Sequence, residues 1–168
     1  MTDPRARRQG IHDLYARQLH EQAGAQFVRS FELRNRRNST DFFLFFATNS
    51  ARGLEKMKEA MWRVDPNGNF RFSDATVTGQ PVMFESEPDF SGLRRLIEHQ
   101  FVGRTIAVED IERFVIERTP FLDTHYKRHV LAEMEREQPA AIVVVGAKPG
   151  RRQGTFPAAT RVRFSNRA

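Results

Sequence analysis

The chain has no cysteine among its 168 residues, and this absence excludes several kinds of chemistry. Disulfides, thiolate catalysis, iron–sulfur clusters and cysteine-ligated zinc sites cannot form within it. No apolar stretch is long enough to span a membrane. The basic residues 1–8 are followed by no apolar core, so the sequence does not predict a secretory signal. We therefore expect a cytoplasmic protein that holds no cofactor of its own.

Acidic residues are missing from the last part of the sequence. No Asp or Glu follows Glu137, whereas several cations do: Lys148, Arg151, Arg152, Arg161, Arg163 and Arg167. The formal net charge of the whole chain is +6. A local excess of this kind favours a phosphate-rich partner. A solvated basic tail explains the charge alone equally well.

Recognisable catalytic motifs are also absent. No two acidic residues form an acid/base arrangement, and no glycine-rich nucleotide fingerprint follows a strand. His125 and His129 are four residues apart on a predicted helix, a spacing that lets two imidazoles reach one metal ion. No third ligand accompanies them, so a solvent-facing pair is the better interpretation. We predict neither a catalytic nor a metal site.

The first third of the chain contains an unbroken apolar run from Phe42 to Ala47. A strand without polar alternation has both faces covered, so we predict an interior strand. The preceding strand, residues 26–33, mixes apolar and charged side chains, as edge strands do. The short loop between the two predicts an antiparallel hairpin, preceded by a helix over residues 10–23.

A helix capped by Asn49 or Ser50 follows this hairpin and ends before Pro66. Its apolar stripe contains Leu54, Met57, Met61 and Val64, and its solvated face contains Glu55, Lys56, Lys58, Glu59 and Arg63. One helix and one strand upstream are too little to shelter an interior strand. The missing layers must come from another chain or from a longer protein.

The last part of the chain predicts a different architecture. Turn residues dominate residues 69–88, which predicts a linker with short strands. Helices over 91–101, 108–117 and 124–137 follow, with a short strand at 105–107 and Asp123 as the cap of the third helix. Strands over 142–145 and 160–164 then form a two-stranded wing. This order of elements is that of a winged helix-turn-helix.

In such proteins the third helix enters the major groove and the wing contacts a neighbouring groove or the backbone. Helical geometry places one set of side chains opposite the apolar stripe of that helix: His125, Arg128, His129, Ala132 and Arg136. Lys148, Arg151 and Arg152 are predicted to contact phosphates from the tip of a flexible, glycine-rich wing. The carboxylates of Glu133, Glu135 and Glu137 would oppose phosphate near the end of the helix.

Three stretches resemble the three-Cys-motif partner (TcmP) proteins. They are FFLFFATNSARGLEKMKEAMWRVDPNGNFRFSD at 42–74, TPFLDTHYKRHVL at 119–131 and GRRQGTFP at 150–157. The likeness extends from about Leu14 to Phe164. It implies a longer bacterial or phage protein: a domain similar to class I methyltransferases, a winged helix-turn-helix domain, and a radical-SAM-like partner that carries the cysteines.

The resemblance also implies domain boundaries. Residues 1–68 would be the end of a methyltransferase-like α/β domain, 69–88 a linker, and 89–168 the winged helix-turn-helix domain. The expected fold class is therefore α+β. No methyltransferase residue can be carried over, because the implied cofactor-binding region is not in the sequence.

Three functions remain open at this point, because a fold alone does not decide function. The leading hypothesis is a nucleic-acid-binding module of a DNA or RNA modification or defence system, without catalysis of its own. The second is a docking module in which the winged domain and the Met/Trp helix hold the three-Cys partner. The third is a fragment of a methyltransferase-like enzyme. The sequence leaves the nucleic-acid type and the oligomeric state undecided.

Overall fold

The computed structural model describes residues 3–35, 37, 39–66, 71–73, 89–147 and 149–166. The chain is a mixed α+β protein, as the sequence predicted. It divides into two compact units, Met1–Pro88 and Asp89–Ala168. Most of the predicted linker lies outside the described residues. Among the residues described, no helix combines the length and the apolarity needed to cross a membrane.

The first unit contains α1 (Pro4–Glu21), β1 (Phe27–Arg34), β2 (Thr40–Thr48), α2 (Ala51–Val64) and β3 (Arg71–Ser73). α1 begins earlier than predicted, because the Asp3 side chain accepts the Arg5 N–H at 3.0 Å and Pro4 fits the first turn. α2 begins after Ser50, whose hydroxyl accepts the Gly53 N–H at 3.2 Å. The predicted Ser50 cap is therefore confirmed.

The sheet of this unit has the order β2-β1-β3. β1 runs antiparallel to β2, which confirms the hairpin, and parallel to β3. The assignment of the interior strand is wrong, because β1 lies in the middle and β2 at the margin. Phe42 and Leu44 of β2 are 60% and 50% exposed. The apolar run indicates a strand that can be covered on both faces, but among the described residues nothing pairs with its outer edge.

α2 buries a different arc from the predicted one. Leu54 and Met61 are buried as expected, but Lys58, assigned to the solvated face, is 1% exposed, and Val64 is 54% exposed. Trp62 is buried as well. The buried positions Leu54, Lys58, Met61 and Trp62 follow the i, i+4, i+7, i+8 spacing of one helical face. The buried face of α2 is therefore rotated relative to the apolar stripe that the sequence predicted.

The second unit follows the predicted order closely. Its elements are α3 (Ser91–Phe101), β4 (Thr105–Ala107), α4 (Val108–Arg118), α5 (Asp123–Tyr126), a π-helical turn (Lys127–Leu131), α6 (Ala132–Arg136), β5 (Ile142–Val145) and β6 (Arg161–Phe164). The predicted helices and strands are confirmed, with end positions that differ by no more than about two residues. The position before α5 is Leu122, so Asp123 is its first residue and not its cap.

The three strands of this unit form an antiparallel sheet of order β4-β6-β5. Ile142, Val162 and Phe164 on its inner face join the helices in one apolar core. Tyr126 lies in this core with no exposed surface, and its hydroxyl donates to Glu112 Oε2 at 2.8 Å. Burial, together with the adjacent Glu112 carboxylate, raises the pKa of the Tyr126 phenol. Because these side chains of the helices are buried in the core, the side chains on the opposite sides of the helices lie at the surface of the unit.

Candidate nucleic-acid interface

α5, the π-helical turn and α6 follow one another without a break and form one composite helix, residues 123–136. In the π-helical turn the Ala132 N–H donates to the carbonyl of Lys127, five residues back. Such a turn contains one residue more than an α-helical turn, so it changes the direction in which the following side chains leave the helix axis. Side chains that a uniform 100° step assigns to one face therefore separate.

His125 and His129 do not face solvent as predicted. Phe90, which precedes α3, stacks on His129 with ring centroids 4.4 Å apart and contacts the His125 ring at 4.9 Å. His125 Nδ1 also accepts the Leu122 N–H at 3.3 Å. Both imidazoles are half-buried in these contacts. Among the described residues no group of three potential ligands could hold a metal ion.

The loop between β5 and β6 covers the C-terminal part of the composite helix. Glu135, 9% exposed, forms an ion pair with Arg151 and accepts the Gly154 N–H at 2.7 Å. The Gln153 amide donates to the backbone carbonyl of Glu135 at 3.0 Å. Ala132, predicted to face the groove, is 3% exposed. The wing that the sequence predicts to be flexible is thus anchored to the helix over residues 151–155, through the contacts of Arg151, Gln153 and Gly154.

Gly154 explains how the loop approaches so closely. Its φ angle is 79°, a left-handed conformation that glycine adopts without strain. A Cβ at this position would lie 2.6 Å from Arg136 Nη2 and 3.3 Å from the Ala132 Cβ. The absent side chain thus lets the loop backbone pack directly against the helix.

Arg151 is not available to phosphate in the way that was predicted. Its side chain is only 14% exposed, and besides pairing with Glu135 it donates to the Thr155 carbonyl at 2.5 Å. The neighbouring Arg152 is exposed and has no ion-pair partner among the described residues. Lys148, the third predicted wing cation, lies outside the described residues. The two adjacent arginines therefore have different roles, anchoring for Arg151 and solvent exposure for Arg152.

Arg128 and Arg136 are the exposed cations of the composite helix. Eight residues of regular α-helix would separate their directions by about 80°, but the extra residue in the π-helical turn reduces the difference to about 20°. Neither forms an ion pair within the part of the chain described. The guanidinium of Arg136 lies over Gly154, next to the Arg152 segment of the loop. We call Arg128 and Arg136 of the helix and Arg152 of the anchored loop the helix–loop cation surface.

Most of the predicted repulsion from carboxylates is removed by ion pairs. Glu135 is paired with Arg151, and Glu137 accepts two hydrogen bonds from Arg94, one of them at 3.0 Å. The bond with Glu137 raises the pKa of Arg94 further above its ordinary value. Glu133 is exposed and has no ion-pair partner in the described part of the chain. Glu133 is therefore the carboxylate at this end of the helix that would still repel an anion such as phosphate.

The far end of the β5–β6 loop is anchored to α4. Glu109 Oε1 accepts the Ala159 N–H at 2.6 Å, and the Val108 N–H donates to the Thr160 carbonyl at 2.9 Å. The hydrogen bond from Ala159 lowers the pKa of Glu109. The loop is thus attached to α4 as well as to α6.

A second cationic surface was missed by the site prediction. Arg161 and Arg163 are exposed, while Val162 and Phe164 of the same strand are buried. The register places Arg163 between Val143 and Thr105, and Arg161 beside Val145, which is 44% exposed like Val143. The alternation of residues 161–164 carried the signal, because a period of two puts both arginines on one face. We call Val143, Val145, Arg161 and Arg163 the open sheet face.

The chain is a two-unit α+β protein, and the described part of its second unit carries exposed arginines on both surfaces named above. No family model, curated protein or solved structure matches the chain. The function is therefore argued from the surfaces themselves.

Proposed function

We propose that residues 89–168 form a winged helix-turn-helix unit that binds nucleic acid, as part of a bacterial or phage DNA or RNA modification or defence system. The order of helices and strands in this unit supports the assignment. In it the composite helix corresponds to the recognition helix and the β5–β6 loop to the wing. We assign no catalytic step to the chain.

The observation that carries the proposal is the helix–loop cation surface. By helical geometry, the extra residue of the π-helical turn brings Arg128 and Arg136 towards one face, and hydrogen bonds hold the loop segment that contains Arg152 against the same helix end. Their guanidinium groups form no internal ion pair among the described residues, so they are available to phosphate oxygens. Internal pairing of Glu135 and Glu137 removes carboxylates that would repel a phosphate backbone.

The chemistry of this surface suits backbone contacts better than base reading. Phosphate contacts provide affinity and position, whereas base-edge contacts provide sequence preference. His125 and His129, which could have reached bases, are packed against Phe90. We therefore propose binding with little sequence preference, driven by the release of counterions.

A salt titration tests the proposal. The chain is mixed with fluorescent duplexes of unrelated sequence, and affinity is measured at several salt concentrations. With about three phosphate contacts, log K should fall against log salt with a slope of about −3, and similarly for each duplex. An affinity that does not change with salt concentration, or no binding to duplexes or single strands, would contradict the proposal.

The open sheet face favours a second candidate function, docking of a protein. Two arginines flanked by half-exposed valines combine charge with apolar surface, a mixture common at protein interfaces. The partner suggested by the resemblance is the radical-SAM-like three-Cys protein. Met61 and Trp62, which the sequence offered as part of the docking surface, are buried and cannot contribute. Co-purification with that partner after nuclease treatment would favour docking over nucleic-acid binding.

A further inference from the structure

The outer edge of β2 has no strand beside it among the described residues of the first unit. β2 is nine residues long, and within the described residues it pairs only with β1. It contains no proline, and its single charged residue is Asp41, near its start. Edge strands are normally protected by charges, prolines, bulges or a covering element, because their free N–H and C=O groups pair readily with another strand. The protection at this edge is confined to the start of β2, where Asp41 lies at a register shift between Leu33 and Arg34 of β1; from Phe42 to Thr48 the strand has neither a charge nor a proline.

The faces of β2 differ in how they are covered. The rings of Phe43 and Phe45 lie under α1, with centroids 4.8 and 5.0 Å from the His12 ring. Phe42 and Leu44 point to the opposite face, opposite Leu33 and Phe31 in the register. There they remain 60% and 50% exposed. On the side of the sheet away from α1, β2 therefore presents exposed apolar side chains beside an edge that is unpaired among the described residues.

α1 adds apolar surface on its own side of the sheet. Arg5 and Gln9 line a cavity of about 440 Å³ together with Glu32 and Arg34 of β1 and Thr40 and Phe43 of β2, so α1 lies over both strands of the hairpin. The Tyr15 ring packs edge-on against Phe45 of β2 at 4.9 Å, and Ile11 lies on the same flank of α1, which is therefore the flank nearest β2. Ile11, Leu14 and Tyr15 are 59%, 50% and 49% exposed. The edge is thus bordered by apolar side chains above and below.

We propose that a second copy of this chain pairs with the first along this edge, with β2 antiparallel to β2 about a two-fold axis. An axis near Leu44 would set Phe42 against Phe46 and Phe43 against Phe45. Asp41 would lie opposite Ala47, so no like charges would meet. The two α1 helices would lie on the same face of the joined sheet, with the Ile11 and Tyr15 flank of each copy on the side of the axis. Such an interface is self-complementary, as two-fold symmetry requires.

The available area is sufficient for this occupant. The exposed parts of Ile11, Tyr15, Phe42 and Leu44 amount to roughly 400 Å² per copy. Two copies would therefore bury about 800 Å² of side-chain surface, and the paired β2 backbones would bring the total towards the roughly 1,000 Å² expected of a specific protein–protein interface. Backbone hydrogen bonds between the two β2 strands would add direction to this apolar contact.

Analytical ultracentrifugation of the whole chain tests the proposal. We expect a dimer for the natural sequence and for Leu96→Lys, a control that changes an exposed leucine of α3. Leu44→Lys should weaken dimerisation about a hundredfold or more, because it places an unpaired charge at the axis. Circular dichroism should be unchanged in both variants. A natural chain that stays monomeric at high micromolar concentration, or a dimer that survives Leu44→Lys, would overturn the proposal.

A cysteine variant supplies the second test, since the natural chain has no cysteine. Residues facing each other in antiparallel strands have Cα atoms about 4.5–5.5 Å apart, within disulfide range. Leu44→Cys should therefore form a disulfide-linked dimer on mild oxidation, whereas Leu96→Cys should not. Open-ended oligomers would exclude two-fold closure. A monomer that captures an apolar strand of a different protein, such as a methyltransferase-like half, would replace the second copy as occupant.

Discussion

Replacing Arg128, Arg136 and Arg152 together by alanine is expected to weaken duplex binding by about two to three orders of magnitude. Each phosphate-contacting arginine contributes on the order of 1 kcal/mol and about one unit of salt slope. All three are exposed, so little loss of folding stability should accompany the change. Fluorescence anisotropy at several salt concentrations measures both the affinity and the slope, which should approach zero.

Two matched controls make this result specific. Arg161→Ala with Arg163→Ala removes comparable charge from the open sheet face and should weaken binding less than about threefold. Glu133→Gln removes the unpaired carboxylate at the helix end and should strengthen binding about two- to fivefold. If the sheet-face variant loses as much affinity as the triple variant, the helix–loop cation surface is not the binding surface.

Replacing Glu135 by alanine is expected to release the wing loop at a cost of about 3 kcal/mol or more. The change leaves the guanidinium of Arg151 largely buried without its counter-charge and deprives the Gly154 N–H of its acceptor. Trypsin provides a local readout, because Arg151 and Arg152 are both in the loop. Cleavage there should accelerate about a hundredfold, in proportion to the population of the open loop.

The control for this experiment lies on the same helix. Glu133→Ala removes an exposed carboxylate and should change cleavage by less than about threefold. Glu135→Ala combined with Arg151→Ala should cost less than the two separate effects added together, because the partners act as a pair. Unchanged trypsin cleavage in Glu135→Ala would mean that the loop is not held by this ion pair.

The sequence predicts the elements of the second unit well, because their signals are local. Helical spacing and the alternating strand at 161–164 each depend on a few neighbouring residues. The arrangement of the site depends on features that are not local. The π-helical turn leaves no mark in the hydrophobic pattern, yet it decides which residues join Arg128 on one face.

The other errors have the same physical origin. Arg151 and Glu135 are 16 residues apart, and nothing in either neighbourhood distinguishes Arg151 from the exposed Arg152. The apolar run of β2 correctly predicts a strand, but its position at the margin follows from which partners the described chain supplies. Burial of Lys58 likewise depends on how α2 is rotated against the sheet. Pairing and orientation are properties of the assembled unit.

Hydrogen exchange of the chain with and without a duplex tests the central claim most directly. Binding through the helix–loop cation surface should slow amide exchange in residues 124–136 and 149–155 and leave β5 and β6 little changed. Protection confined to 142–145 and 161–164, or no protection at any duplex concentration, would contradict it.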